Sequence, residues 1–145
     1  MAEDSPNTPL LMFVAHRAAE GAVFEALRAA GFGDLTMAQC RLAQRLSPTG
    51  IRLTELAEQA RITKQTAGAL VDELERNGYV TRRPDPADAR ARLVVLSERG
   101  TALCHAAAME VARVEADWQA HLGAAAYRQL RASMIALREL TDPQP

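Results

Sequence analysis

The chain has 145 residues, of which 48% are hydrophobic and 24% charged, values typical of one soluble globular domain. Its formal net charge of −1 gives no global basic signal for nucleic acid, and an aromatic content of 4% favours helices over sheet. The N-terminus resembles no secretory signal and no apolar run could span a membrane, so we expect a cytoplasmic protein without a membrane partner. Cys40 and Cys104 lack the spacing of a disulfide or a zinc site, so we expect no metal or other cofactor.

The charge is unevenly distributed. Residues 61–99 hold eight Lys/Arg and six Asp/Glu, whereas residues 1–60 hold five and seven, and residues 100–145 hold four and five. Only the middle segment is net positive. This is a weak electrostatic indication that a nucleic-acid surface lies there.

Two helices are predicted before the middle segment. Apolar residues recur near the 3.6-residue period over Leu10–Ala30, and the glycines that follow end this helix. Thr36 is the predicted N-cap of a second helix over Met37–Leu46. The sequence Ser-Pro-Thr-Gly at 47–50 then predicts a turn.

The middle segment opens with a helix-turn-helix pattern. A very short strand over Ile51–Leu53 precedes a helix over Thr54–Ala60, and a tight turn leads to Thr63, the predicted cap of a helix over Lys64–Asn77. The apolar residues of this last helix share one face at positions i, i+3, i+4 and i+7: Ala67, Leu70, Val71 and Leu74. The residues at its start are small or polar, so its backbone can approach a surface closely.

A hairpin and two long helices follow. Strands are predicted over Tyr79–Arg83 and Arg90–Leu96, separated by a turn over Pro84–Ala89 whose tip carries Asp85, Asp88 and Arg90. The next helix, Ser97–Leu122, has a narrow apolar seam, and Gly123 separates it from a final helix over Ala124–Leu140. A helix of roughly 25 residues extends well beyond a small core, so its seam needs a partner surface, which a two-fold dimer supplies.

This order predicts a mainly α protein with a small β-hairpin wing, in which dimerisation helices at both ends flank a winged helix-turn-helix. The predicted division is 1–34 and 101–145 for dimerisation and 35–100 for DNA binding. The chain resembles the MarR family of bacterial transcription regulators through three motifs: LTELAEQARIT, TAGALVDELERNGYVTR and PDPADARARLVVLSERG. Asp88-Ala89-Arg90 matches the family's D-x-R wing, although Ala89 departs from the frequent D-R-R, and Leu96–Gly100 matches the family's exit from the wing.

The resemblance implies a homodimer whose two recognition helices enter successive major grooves of a pseudo-palindromic operator in double-stranded DNA. The candidate contacts to base edges and phosphates at the start of the recognition helix are Lys64, Gln65, Thr66 and Gly68. Thr54, as the cap of the preceding helix, and Thr63 are candidates for holding phosphates. For the wing, we expect Arg82, Arg83 and Arg92 to meet the DNA backbone, and Arg90 to enter the minor groove with its guanidinium fixed by Asp88.

The resemblance also implies a small anionic or aromatic effector, bound between the dimerisation helices and the DNA-binding lobe. The candidate residues for this site are Met12, Phe13, His16, Arg17 and Cys40. His16 and Arg17 suit a carboxylate, but they equally suit helix surface or a salt bridge across the dimer. Cys40 is either an oxidant sensor or a small core residue, and its apolar surroundings in sequence favour the core.

Two other classes of function compete with a DNA-binding repressor. A winged helix can instead form a protein-interaction module without sequence-specific DNA binding. The acidic residues of the recognition helix lie after its first turns, which favours DNA. An enzyme is not expected, because the sequence has no phosphate-binding glycine loop, no metal-ligand spacing and no nucleophile set that the helices would bring together.

Overall fold

The computed structural model describes residues 5–142. Six helices and a three-stranded sheet follow one another in the predicted order, which confirms the mainly α winged-helix fold. The elements are α1 (Thr8–Ala29), α2 (Met37–Ala43), β1 (Ile51–Arg52), α3 (Leu53–Ala60), α4 (Lys64–Arg76), β2 (Val80–Asp85), β3 (Asp88–Leu96), α5 (Glu98–Leu122) and α6 (Ala124–Thr141).

Side-chain caps fix where most of the helices begin. The Thr36 hydroxyl accepts from the backbone N–H of Gln39, whose own side chain accepts from the Thr36 N–H, forming a reciprocal capping box. Thr63 and Ser97 cap α4 and α5 with single bonds, since their hydroxyls accept from the backbone N–H groups of Thr66 and Gly100, so the predictions for Thr36 and Thr63 are confirmed. The Asn7 side chain caps α1, which therefore begins two residues before the predicted Leu10.

The prediction that Thr54 caps α3 is wrong. Arg52 occupies the N-cap position and makes no side-chain capping bond, so Thr54 lies inside the first turn. The reason is that β1 leads directly into α3: Ile51 and Arg52 pair with Val94 and Leu93 of β3, and helical geometry begins at the next residue.

The hairpin of β2 and β3 is longer than predicted. The sequence indicated a turn over Pro84–Ala89, but antiparallel pairing continues to Asp85 and Asp88, which leaves only residues 86 and 87 in the turn. The pairing passes from Pro84↔Arg92 to Asp85↔Asp88, so residues 89–91 of β3 form a bulge. A proline disrupts strand pairing only where its missing N–H would have to donate. Pro84 lies beside this bulge, so the strand continues past it.

The core lies where α3, α4 and the sheet pack together. Leu56, Val71 and Leu74 have no exposed surface. Tyr79 and Val80, at the start of the wing, are also buried. The long helices add Leu27 and Leu103 to the same cluster. Gly100, in the first turn of α5, packs so closely on Tyr79 that a Cβ atom would collide with the Tyr79 carbonyl oxygen.

The long helices are packed very differently. All the large hydrophobic side chains that the described structure exposes lie on α1, α5 and α6: Leu10, Leu11, Phe13, Val14, Met109, Val111, Leu122, Leu130, Met134, Ile135 and Leu140. We call these residues the apolar helix face. None of the helices within residues 5–142 combines the length and hydropathy needed to cross a bilayer.

Candidate nucleic-acid interface

The start of α4 presents a small polar surface. Lys64, Gln65 and Thr66 are exposed, and Gly68 packs near Leu53 of α3. The first amides of a helix have no carbonyl partner within it, so this turn carries a partial positive charge. The Thr63 hydroxyl accepts from the Thr66 N–H at 3.0 Å and donates to the Thr66 hydroxyl at 2.9 Å, so its proton is already used within the chain.

The tip of the wing is held by two short-range hydrogen bonds. Asp85 Oδ1 accepts from the Ala87 N–H at 2.9 Å, and Asp88 Oδ1 accepts from the Arg90 N–H at 3.0 Å. The expectation that Asp88 fixes the Arg90 guanidinium is therefore corrected. An aspartate side chain reaches the backbone two residues ahead most readily, and here that bond shapes the bulge that carries Arg90.

Arg82 binds within the chain. Its guanidinium donates to Asp72 at 2.7 Å and to Glu75 at 2.9 Å, both on α4, and its side chain is 19% exposed. The predicted role of Arg82 at the DNA backbone has to compete with these two carboxylates. The bonds fix β2 against the second half of the recognition helix and compensate part of the negative charge of two acidic residues there.

Arg52 was not a sequence candidate, yet it holds the wing. It donates to Asp85 Oδ2 at 2.7 Å and so connects the end of β1 to the end of β2. Together with the hydrogen bond from Ala87, this contact lowers the pKa of Asp85 below its ordinary value. The two residues are 33 positions apart, so no local pattern in the sequence could indicate the pair.

The other wing and recognition-helix cations behave differently. Lys64, Arg83, Arg90 and Arg92 form no salt bridge with any residue of the described chain, and all four are exposed. Arg83 only approaches the Pro48 carbonyl, at 3.5 Å. These side chains can therefore turn to phosphates without breaking an ion pair. Arg61, which sequence reasoning passed over, is a further exposed cation immediately before α4, and its φ of 55° puts it in the left-handed region.

A partly exposed contact connects the end of the recognition helix to the start of α5. The Tyr79 hydroxyl donates to Asp34, and the Arg99 guanidinium lies 4.2 Å from the centre of the Tyr79 ring. Arg99 also donates to Asp34 at 3.2 Å and to the Asn77 carbonyl at the end of α4. Burial alone would raise the pKa of Asp34, but the hydrogen bonds from Tyr79 and the backbone, with the Arg99 charge, lower it. Burial and the same hydrogen bond raise the pKa of Tyr79.

A cavity of about 860 Å³ lies between α1, α2, α5 and α6. Three of the predicted effector residues line it, namely Met12, His16 and Cys40, whereas Phe13 and Arg17 do not. Phe13 and Arg17 are exposed on the outside of α1, because the inward positions of this helix fall one residue before each of them. Burial raises the pKa of the Cys40 and Cys104 thiols and so disfavours the reactive thiolate. This favours the interpretation of Cys40 as a small core residue over that of an oxidant sensor.

Residues 33–91 match the sequence model of the MarR family. Over these residues the chain is similar to MarR proteins. The crystal structure of transcriptional regulator PA4135 is 25% identical, with a TM-score of 0.71, over 97% of this chain and 100% of that chain. The Mycobacterium tuberculosis MarR family protein Rv2887, solved in complex with p-aminosalicylic acid, is 26% identical, with a TM-score of 0.67, over 91% of this chain and 98% of that chain.

A third structure shares the MarR fold. A variant of Staphylococcus aureus MepR bound to an oligodeoxyribonucleotide is 20% identical, with a TM-score of 0.61, over 97% of this chain and 100% of that chain. No curated protein matches the sequence. The resemblance to the MarR family is thereby confirmed, and proteins of that family are transcription regulators rather than enzymes.

Proposed function

We propose that this MarR-type chain represses transcription as a homodimer bound to a pseudo-palindromic operator. The observation that carries the proposal is the division of the cations: within residues 5–142, Lys64, Arg83, Arg90 and Arg92 pair with no carboxylate, while Arg82 and Arg52 are engaged in holding the wing. Unpaired cations on a recognition helix and its wing are what phosphate contacts require. Arg82 compensates one of the two negative charges of Asp72 and Glu75, which would otherwise repel DNA more strongly.

The site residues divide into three roles in this proposal. Lys64, Gln65 and Thr66 read base edges in the major groove, with Gly68 allowing close approach of the backbone. Arg90 enters the minor groove from the bulge that Asp88 shapes, and Arg83 and Arg92 contact phosphates. Thr63 acts through the helix N-terminus that it caps. Arg82 positions the wing. Thr54, no longer a cap, retains an exposed hydroxyl for phosphate.

The apolar helix face supports the dimer. Ile135 is 60% exposed and Phe13 56%, on helices from opposite ends of the sequence. A soluble monomer rarely exposes so many large apolar side chains together, and a second copy would cover them symmetrically. In this arrangement residues 1–34 and 101–145 supply dimerisation and 35–100 the DNA-binding lobe, with residues 1–4 and 143–145 outside the described chain.

The cavity supports regulation by a small molecule. It touches α1 and α5, which carry the apolar helix face, and also α2, which packs on α4. A molecule that alters the angle between these elements would alter the separation of the two recognition helices, and operator affinity depends on that separation. The p-aminosalicylic acid complex of Rv2887 is a precedent for small-molecule binding in a similar structure.

Fluorescence anisotropy with labelled promoter DNA from the protein's own genomic neighbourhood tests the proposal. We expect Arg90→Ala and Lys64→Ala each to weaken binding by about tenfold or more and to reduce the salt dependence by about one phosphate contact. Arg28→Ala, at an exposed cation on α1, is the control and should leave affinity unchanged. Unchanged affinity in both test variants would refute the contact assignments. Absence of any salt-dependent binding would favour the protein-interaction module instead.

A further inference from the structure

The effector cavity has an unusual charge pattern for a site that is expected to take anions. Among the described residues that line it, none is Lys or Arg. The charged lining consists of two carboxylates, Glu20 and Glu115, with His16 as the only lining side chain of the described chain that can become positive. His16 Nε2 already lies 3.6 Å from Glu20 Oε2. A bound anion would therefore find no unengaged cation at the cavity wall.

Both carboxylates are paired from outside the cavity. The Arg41 guanidinium donates two hydrogen bonds to Glu20, from Nη2 to Oε1 at 2.7 Å and from Nε to Oε2 at 2.8 Å. The Arg41 side chain is itself 62% exposed. These bonds lower the pKa of Glu20, so that it is ionised at neutral pH. Arg131 donates to Glu115 at 2.7 Å. A cationic molecule gains little here, because both oxygens of Glu20 are already satisfied by a bidentate guanidinium.

The remaining lining is apolar and neutral. Leu27, Ala43 and Leu103 are buried at the wall of the cavity, and Leu130 and Met134 of the apolar helix face line its open side. The two cysteine thiols stay protonated because burial raises their pKa. Thr8 and Gln44 supply neutral hydrogen-bonding groups, and His16 adds an imidazole. A volume of about 860 Å³ falls within the range of small-molecule sites and accommodates an aromatic ring system.

We propose that the effector of this protein is an uncharged, ring-containing apolar molecule with one or two hydrogen-bonding groups, and that the cavity rejects carboxylates. A carboxylate entering the cavity would lose its hydration, find no cation to replace it, and lie near the ionised Glu20. A neutral amide or phenol loses far less on leaving water and can bond to Thr8, His16 or Gln44. This inference rests on the proposed regulatory function, and of the anionic or aromatic ligands that the family resemblance implied it keeps the aromatic class.

The chain provides its own reporter for the test, since its single tryptophan, Trp118, lines the cavity. Quenching of Trp118 fluorescence is measured on the full-length protein with neutral and anionic partners of equal size: salicylamide against salicylate, and 2-naphthamide against 2-naphthoate. We expect each amide to bind about tenfold or more tightly than its acid. Equal or tighter binding of the acids, or no binding of either amide up to millimolar concentration, overturns the proposal.

A charge variant separates this explanation from one based on shape. Glu20→Gln releases the Arg41 guanidinium and removes the negative charge, so the acids should gain affinity and the preference for the amides should shrink by about tenfold. Glu25→Gln, at an exposed glutamate on the same helix, is the matched control and should keep the preference unchanged. An amide preference that Glu20→Gln leaves intact contradicts the electrostatic mechanism.

The same samples are assayed for promoter binding without ligand, so that the two proposals can fail separately. Discrimination by the cavity in a protein that binds no DNA refutes the repressor function alone. DNA binding that is intact, with acids preferred over amides, refutes the effector class alone.

Discussion

The winged-helix lobe and the long helices differ in how far their apolar side chains are exposed. In the lobe, Leu56, Val71 and Leu74 are completely buried by other residues of the same chain. On the long helices, residues of the same kind, such as Met109 at 76% exposure and Leu140 at 83%, are left uncovered. The lobe therefore surrounds a covered core, to which the long helices contribute Leu27 and Leu103, whereas the outer surface of the long helices is stable in water only when something covers it.

The ion pairs repeat this contrast. In the lobe most of them join different elements, as Arg52 does with Asp85 and Arg82 with Asp72 and Glu75. On the long helices several join residues three or four positions apart, as Arg113 does with Glu110 and Asp117, although Arg131 of α6 also pairs with Glu115 of α5. Pairs between residues three or four positions apart support a helix but do not orient it against a neighbour. The ion pairs therefore fix the wing against the recognition helix more firmly than they fix the long helices against each other.

The largest effect on this contrast should come from the core of the lobe. Leu56→Ala removes a side chain with no exposed surface and should lower the free energy of unfolding by about 2–5 kcal/mol. The measurement is urea denaturation at two protein concentrations, and the loss should be the same at both because the contact lies within one chain. Leu140→Ala, at a leucine 83% exposed, is the control, and a comparable loss there would contradict the contrast.

A charge on the apolar helix face should act on assembly instead. Ile135→Glu places a carboxylate among residues that the proposed dimer buries, so we expect monomers in analytical ultracentrifugation and operator affinity reduced by about 100-fold, because one half-site then binds alone. The circular dichroism of the helices should remain. Ile135→Leu keeps the surface apolar and should remain dimeric. A dimeric Ile135→Glu variant would show that Ile135 lies outside the interface.

The smallest effect concerns the contact between Asp34, Tyr79 and Arg99 and depends on pH. Because the pKa of Asp34 is lower in the folded chain than its ordinary value of 3.8, its stabilising contribution is complete above that value and is lost as pH falls through the folded pKa. Asp34→Asn should therefore destabilise the protein at pH 6 and by progressively less below pH 4, as measured by urea denaturation. The effect is modest because the Asp34 side chain is 40% exposed. A destabilisation that does not change with pH would show that the Asp34 charge contributes nothing.

Much of the fold could be predicted from the sequence because its signals are local. Thr36 and Thr63 cap helices through bonds that span three residues, and the apolar period of α4 repeats within two turns. Errors occurred where a neighbour in space decided the outcome. Thr54 is displaced from the cap position by the pairing of β1 with β3, and the wing turn is shortened by pairing that continues past Pro84.

The candidate site shows the same division between features set by local sequence and features set by neighbours in space. The sequence by itself determined which residues begin the recognition helix and which arginines belong to the wing, since both follow from the order of local motifs. Only the tertiary structure decided that Arg82 is engaged while Arg83 and Arg90 are not, because the partners of Arg82 lie on another element. It also decided the charge of the effector cavity, since Glu20 meets an arginine 21 residues away. Contacts at such separations depend on which helices pack together, and the apolar period marks the buried face of a helix but not the partner that covers it.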